Sequence, residues 1–127
     1  MSRALAAQLA RSVNPERSAA ADIEDRRLKR VIVHLEDNLA EDLSLKDLAR
    51  IAAMSPYHFA RAFKAATGAS PLQYMINARI DRAKILLKTT KLTVSEIAFR
   101  TGYADPGRFN RHFKNRVGAT PGAFRRG

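Results

Sequence analysis

A twenty-residue stretch, SPYHFARAFKAATGASPLQY from Ser55 to Tyr74, returns fifty residues later as DPGRFNRHFKNRVGATPGAF from Asp105 to Phe124. Eight positions are identical between the copies: Pro56/Pro106, Phe59/Phe109, Arg61/Arg111, Phe63/Phe113, Lys64/Lys114, Gly68/Gly118, Ala69/Ala119 and Pro71/Pro121. Whatever local structure one copy forms, the other is expected to form too. Each opens with a residue able to cap a helix (Ser55, Asp105), followed by proline at the first helical position, where its missing N–H costs nothing. Each closes at a glycine shortly before another proline, which predicts a helix of about a dozen residues. The phenylalanines fall four apart, so Phe59 and Phe63 share one helical face, as do Phe109 and Phe113. Tyr57, Arg61 and Lys64 collect on the opposite face of the first copy, and Gly107, Arg111 and Lys114 on that of the second. An aromatic inner face with a cationic outer one suits a helix that packs on a small domain and offers its other side to a polyanion.

The residues just upstream decide what kind of helix this is. SLKDLARIAAM before the first copy and TVSEIAFRTGY before the second align at an offset of forty-nine, so Ala104 is an insertion at the second turn. Ser44 with Asp47, and Thr93 with Glu96, have capping-box spacing, Asp being the weaker form. Leu45, Leu48 and Ala49, like Val94, Ile97 and Ala98, form a short apolar face. A short helix, a turn of three or four residues holding Gly102 in the second copy, and the Phe-x-x-x-Phe helix make a helix-turn-helix. The chain contains two.

These residues resemble the AraC/XylS family of bacterial transcription regulators. The resemblance is carried by Leu48-Ala49, Met54-Ser55-Pro56-Tyr57-His58-Phe59, Phe63-Lys64 and Gly68-Ala69-Ser70-Pro71, then by Arg79, Ala83-Lys84 and Leu86-Leu87. It continues through Ile97-Ala98-Phe99, Gly102-Tyr103, Phe113-Lys114, Gly118-Ala119-Thr120-Pro121 and Phe124-Arg125, and spans roughly residues 23 to 126. It implies an all-α fold: two homeodomain-like helix-turn-helix subdomains joined by a long linker helix, about seven helices in all. The expected divisions are residues 1–20 as an N-terminal extension or the end of a preceding domain, 21–71 as the first subdomain, 72–89 as the linker helix and 90–127 as the second subdomain. Family members carry this domain alone or after a ligand-sensing domain, so the chain is either a free-standing regulator or part of a longer one.

Composition agrees with a polyanion as partner. The net charge is +11 over 127 residues. Up to Asp42 there are seven Lys/Arg against eight Asp/Glu, and from Leu43 onward sixteen against four, so the repeat-bearing part carries the whole excess. Such a surface attracts phosphates and releases their counterions, so binding should fall steeply with salt. The absence of cysteine excludes disulfides and thiolate metal sites and fits a reducing cytosol. No apolar run approaches the length of a membrane span, and Ala4 to Ala10 lacks the apolar centre of a secretion signal. The expected setting is therefore cytoplasmic, at the nucleoid, with no membrane partner.

Ahead of the repeats, Leu28, Val31, Ile32, Leu35 and Leu39 recur at helical spacing from Ile23, with Asp22 as a plausible cap and Glu24 and Asp25 suiting the positive end of the helix dipole. Ala4 to Arg11 could form a short helix, broken off by Asn14-Pro15 and Ser18. Between the two units, Leu72, Ile76, Ile80, Ala83, Leu86 and Leu87 read as one apolar stripe on a helix of about seventeen residues, roughly 25 Å. That scale suits a spacer setting two reading helices into major-groove segments about 34 Å apart.

The resemblance also implies individual roles. Arg61 and Arg111 match base-reading arginines, and a bidentate contact to guanine is the commonest specific use of arginine in the major groove. The alternative is a solvated arginine or an ion pair, but neither helix has an acidic residue at the required spacing. Tyr57 matches a base-contacting position and could touch a thymine methyl or a phosphate, or else pack on Pro56. Asn110 could read adenine through its amide, while Ala60 opposite it offers only a methyl group. Pro106-Gly107 leaves two positions of the second reader without a polar side chain, so specificity falls to the first half-site or to Arg108, Asn110 and Arg111 alone. The base-contacting set is thus Tyr57, Ala60, Arg61, Arg108, Asn110 and Arg111. Ser55, His58, Lys64, Gly107 and Lys114 are assigned to phosphate, with a solvated face as the alternative for the lysines. His112 lies nearer the packed side. Arg79 is structural, tied into the core between the units.

No catalytic residues, cofactor or metal are expected: there is no phosphate-cradling glycine loop and no Ser with an obvious base, and His34, His58 and His112 are too far apart for a local metal motif. The function expected is sequence-specific regulation of transcription on double-stranded DNA. RNA polymerase is a further partner, a monomer suffices for one site, and a dimer is expected if an upstream domain exists. A non-specific architectural protein would use the charge alone and be displaced equally by any duplex. An accessory module meeting protein would fail to bind duplex at low salt.

Overall fold

The computed structural model describes residues 19–127. The stretch Ala4 to Arg11 lies outside them. Among the described residues there are seven helices and no strand: α1 (Ala19–Asp37), α2 (Leu45–Ile51), α3 (Pro56–Thr67), α4 (Pro71–Thr89), α5 (Val94–Arg100), α6 (Pro106–Val117) and α7 (Pro121–Arg126). None of them is long and apolar enough to cross a membrane. Contacts divide the described residues into two compact units: the first takes 19–38 and Leu43–Tyr74, the second Leu39–Asp42 and Met75–Gly127.

In the first unit, α1 packs against α2 and α3, and α2 against α3. Leu28, Val31, Ile32 and Leu35 of α1 meet a core that includes Leu48, Ala49, Ala52, Phe59 and Phe63, all buried. The ring of Phe63 stands 5.5 Å from Phe59 and 5.4 Å, edge-on, from Tyr74. The Tyr74 hydroxyl reaches the Glu36 carboxylate at 3.0 Å, satisfying the polar end of a buried side chain. In the second unit, Ile76, Ile80, Ala83 and Leu87 of α4 join Ile97, Ala98, Tyr103, Phe109 and Phe113, with Phe124 packed at the edge. Here too the repeated rings touch: Phe109 to Phe113 at 5.8 Å and Phe113 to Phe124 at 5.6 Å.

The caps explain where the helices begin. Ser44 accepts from the Asp47 N–H and the Asp47 carboxylate accepts from the Ser44 N–H, a complete capping box despite the shorter acid. That second bond, with the hydroxyl and Arg50, holds the exposed Asp47 carboxyl below its usual range. Thr93 shows only the first half of the box, accepting from Glu96 N–H at 3.0 Å. Ser55, Ser70 and Thr120 cap α3, α4 and α7 in the same way. Asp105 differs by accepting from Gly107, two residues on. Both reading helices end on a left-handed glycine, Gly68 at φ +82° and Gly118 at φ +89°.

The two turns inside the helix-turn-helix units are the same turn. Met54 N–H donates to Ala49 O and Ala53 N–H to Arg50 O; Tyr103 N–H donates to Ala98 O and Gly102 N–H to Phe99 O. The pivot residue is left-handed in both, Ala53 at φ +56° and Gly102 at φ +102°. An alanine held there costs about 1 kcal/mol or slightly more relative to glycine. Ala53→Gly is therefore expected to stabilise the first unit by about 1 kcal/mol in denaturant unfolding, because the relief of the strained φ outweighs the added freedom of the unfolded chain.

Five expectations need correction. Asp22 does not cap α1 but lies in its first turn, because the helix is already formed from Ala19, and Leu39 lies beyond its end. Leu72 is 63% exposed, whereas Tyr74 and Met75, off the expected stripe, are buried. The cause is that α4 is divided, its residues to Tyr74 counting with the first unit and those from Met75 with the second, so its apolar positions follow no single stripe. The helix is also longer than expected, 19 residues. Leu45 is exposed as well, leaving Leu48 and Ala49 as the buried part of the α2 face.

Candidate nucleic-acid interface

Two residues from each of its neighbouring phenylalanines, Arg61 stands about 160° around α3 from both, and Arg111 has the same relation to Phe109 and Phe113. All four rings are fully buried. Burial of the rings therefore fixes which side of each helix faces outward, and the cations follow.

On α3, Tyr57, Arg61 and Lys64 are exposed and Ala60 is partly buried. With Ala65, Ser70 and Pro71 they line a shallow open groove of about 490 Å³. The Arg61 guanidinium donates to the Tyr57 hydroxyl at 3.0 Å and lies over its ring, 5.6 Å from the centroid. Tyr57 thus touches Arg61 in this structure. At the head of the helix Ser55 holds the His58 N–H, while the His58 ring meets the Glu24 carboxylate of α1 at 3.1 Å. A phosphate approaching His58 would meet that carboxylate as well. Sequence reading did not find Glu24 as a neighbour of the α3 entrance; thirty-four residues separate the two, and no local pattern links them.

On α6, Gly107, Arg108, Asn110, Arg111 and Lys114 are all exposed. Glycine at the position equivalent to Tyr57 leaves Arg111 without an aromatic partner on its own helix. Behind this face, the Tyr103 hydroxyl and His112 Nδ1 are 2.8 Å apart. Burial raises the Tyr103 pKa against the opposing pull of Arg79, so the phenol keeps its proton and can donate to a neutral imidazole. His112 is itself held below the usual histidine value, first by burial and then by Arg116, Arg108, Arg111 and Arg79.

With its folded pKa below the unfolded value, His112 takes up protons more readily in the unfolded chain, so folding stability rises with pH and is lost as pH falls through about 6.5 and below. Comparing thermal midpoints at pH 7.5 and 5.5, His112→Gln is expected to show a smaller acid-induced drop than the parent; an equal drop would assign the effect to other groups.

Arg79 is tied down in the second unit. It donates to Leu39 O at 3.0 Å and Glu41 O at 2.9 Å, and its guanidinium lies 5.6 Å from the Tyr103 ring centroid. These bonds account for residues 39–42 counting with the second unit. At the other end, Arg125 donates to Leu87 O and Thr90 O, closing the last turn of α4.

The comparisons with known proteins agree with this architecture. A family model described as a helix-turn-helix domain matches residues 48–127. A transcriptional regulator from Chromobacterium violaceum, with an AraC-type DNA-binding domain, superposes with a TM-score of 0.74 at 27% identity, covering 85% of this chain and 94% of that one. The chain belongs to the AraC/XylS family. The DNA-binding domain of AdpA, a global transcriptional factor solved in complex with a target DNA, is 35% identical with a TM-score of 0.76, over 78% of this chain and 89% of that one. An HTH-type transcriptional regulator of Bacillus subtilis, YfiF, is 38% identical over 98 residues, 77% of this chain and 31% of its own length. The chain thus corresponds to about a third of such a regulator.

Proposed function

We propose that this AraC/XylS-type domain recognises an asymmetric site on double-stranded DNA by placing α3 and α6 in two adjacent major-groove segments and so regulates transcription. The observation that carries the reading is the pair of arginines, Arg61 and Arg111, each exposed opposite two fully buried phenylalanines. Support comes from the basic excess of the repeat-bearing part and from the related AdpA domain, solved with its target DNA. In this reading Arg61, Arg108, Asn110 and Arg111 face base edges, with Ala60 offering a methyl contact. Ser55, Lys64, Gly107 and Lys114 face phosphates, together with His58 once it leaves Glu24. A contact with RNA polymerase belongs to the same proposal, as does service within a longer, effector-responsive regulator, which the share of YfiF covered favours.

The test separates base readers from phosphate binders. Arg61→Ala is expected to cost about 1 to 3 kcal/mol of binding and to relax preference at one base pair. Lys64→Ala should weaken all duplexes alike and lower the salt slope by about 1. Titrations of the selected duplex, its single-base variants and random duplex across a salt series give both quantities. If Arg61→Ala lost affinity equally for every sequence, the base-reading role would be wrong.

A further inference from the structure

The Tyr57–Arg61 contact has a function of its own: we propose that Tyr57 is a positioning residue, whose hydroxyl holds the Arg61 guanidinium in the orientation that selects guanine. This rests on the reading of α3 as a base-reading helix and assigns a task within it. Tyr57 is 72% exposed, so burial does not explain its place. It stands one turn before Arg61 and holds it at two points, the hydroxyl accepting from one terminal nitrogen at 3.0 Å and the ring lying under the guanidinium at 5.6 Å. Side chains four apart on a helix are neighbours, so the hold needs no distortion.

An exposed arginine ordinarily spreads over many rotamers, and ordering it on DNA weakens the contact it makes. Here the fork is ordered before DNA arrives. One hydrogen of the held nitrogen, the second terminal nitrogen and Nε remain available, and none of them meets a protein acceptor among the described residues. A guanine edge presents two acceptors, O6 and N7, which match two parallel donors of that fork. Ala60 beside it brings no competing polar group.

The second copy shows what the first has added. Gly107 occupies the position of Tyr57, and a side chain there would start 3.2 Å from Asp105 Oδ1 and 3.7 Å from an Arg111 terminal nitrogen. Arg111 therefore has no equivalent buttress. The two arginines match in sequence and differ in preorganisation, so base discrimination is sharper under α3 than under α6.

The experiment uses Tyr57→Phe, which keeps the ring and removes the hydroxyl, together with Arg61→Ala and the double variant, against the selected duplex, its single-base variants and a random duplex. Tyr57→Phe is expected to lose about three- to tenfold in discrimination at the base pair that Arg61→Ala relaxes, the loss of one hydrogen bond. The thermal midpoint should not change, affinity for random duplex should fall by less than discrimination does, and in the Arg61→Ala background the effect on discrimination should vanish. Discrimination equal to the parent, uniform weakening on all duplexes, or an undiminished effect without Arg61 would each overturn the proposal, the last by showing that Tyr57 meets DNA directly. If Arg61→Ala itself left discrimination intact, the base-reading assignment of α3 would fall first and the positioning role with it.

Discussion

Gly102→Ala is expected to destabilise the second unit by about 3 kcal/mol, from the left-handed backbone and the overpacking together. The glycine sits at φ +102°, and a methyl group there would start 2.5 Å from Leu39 O and 2.7 Å from Arg79 Cζ. Neither neighbour is free to yield. Leu39 O is the acceptor of the Arg79 Nε–H, and the same guanidinium holds Glu41 O and lies over Tyr103. The added carbon would push apart the contacts that attach residues 39–42. Gly68→Ala is the control: φ is +82°, yet nothing lies within 4 Å of the new carbon. Its cost should be the conformational part alone, about 1 kcal/mol. Denaturant unfolding of both variants measures the difference, and equal costs would show that the Arg79 clamp contributes nothing.

Phe109→Ala is expected to cost about 3 to 5 kcal/mol, the range for removing a fully buried aromatic ring. Its ring is wholly enclosed, against Tyr103 at 5.3 Å and Phe113 at 5.8 Å, so the neighbours cannot close the space without giving up their own contacts. The loss is a large share of the stability of a small domain. Far-UV circular dichroism during urea titration should show the midpoint shifting far more than for Arg111→Ala, whose side chain is exposed on the same helix. Comparable shifts for the two would contradict the division of α6 into a packing side and an outward side.

That division could be read from the sequence because it is local. Serine or aspartate, then proline, then phenylalanines four apart, then glycine describes a capped amphipathic helix, and each copy supplies every mark. The turn was legible for the same reason in the second unit, through Gly102, and concealed in the first, where Ala53 adopts the left-handed conformation without a residue that favours it. What the sequence hid depends on distant partners. Helix α4 is divided between two units, so a single-stripe reading exposed the wrong residues and left Leu72 assigned to a core it does not join. The carbonyls of Leu39 and Glu41 became acceptors for Arg79 some forty residues away, which no spacing rule reveals. The candidate interface follows the same rule: the outward positions of Arg61 and Arg111 came from periodicity, whereas Glu24 beside His58 required the packed structure.

In the proposed function, two outward helix faces on one chain read one stretch of duplex. Selection of binding sites from a pool of random duplexes tests it most directly. The expected result is an enriched site with two short conserved blocks whose centres lie about one helical turn, some 10 base pairs, apart. Within it, a guanine in the first block should lose its enrichment when the selection is repeated with Arg61→Ala. A pool that stays random, or enrichment of a single block that is indifferent to both Arg61 and Arg111, would contradict it.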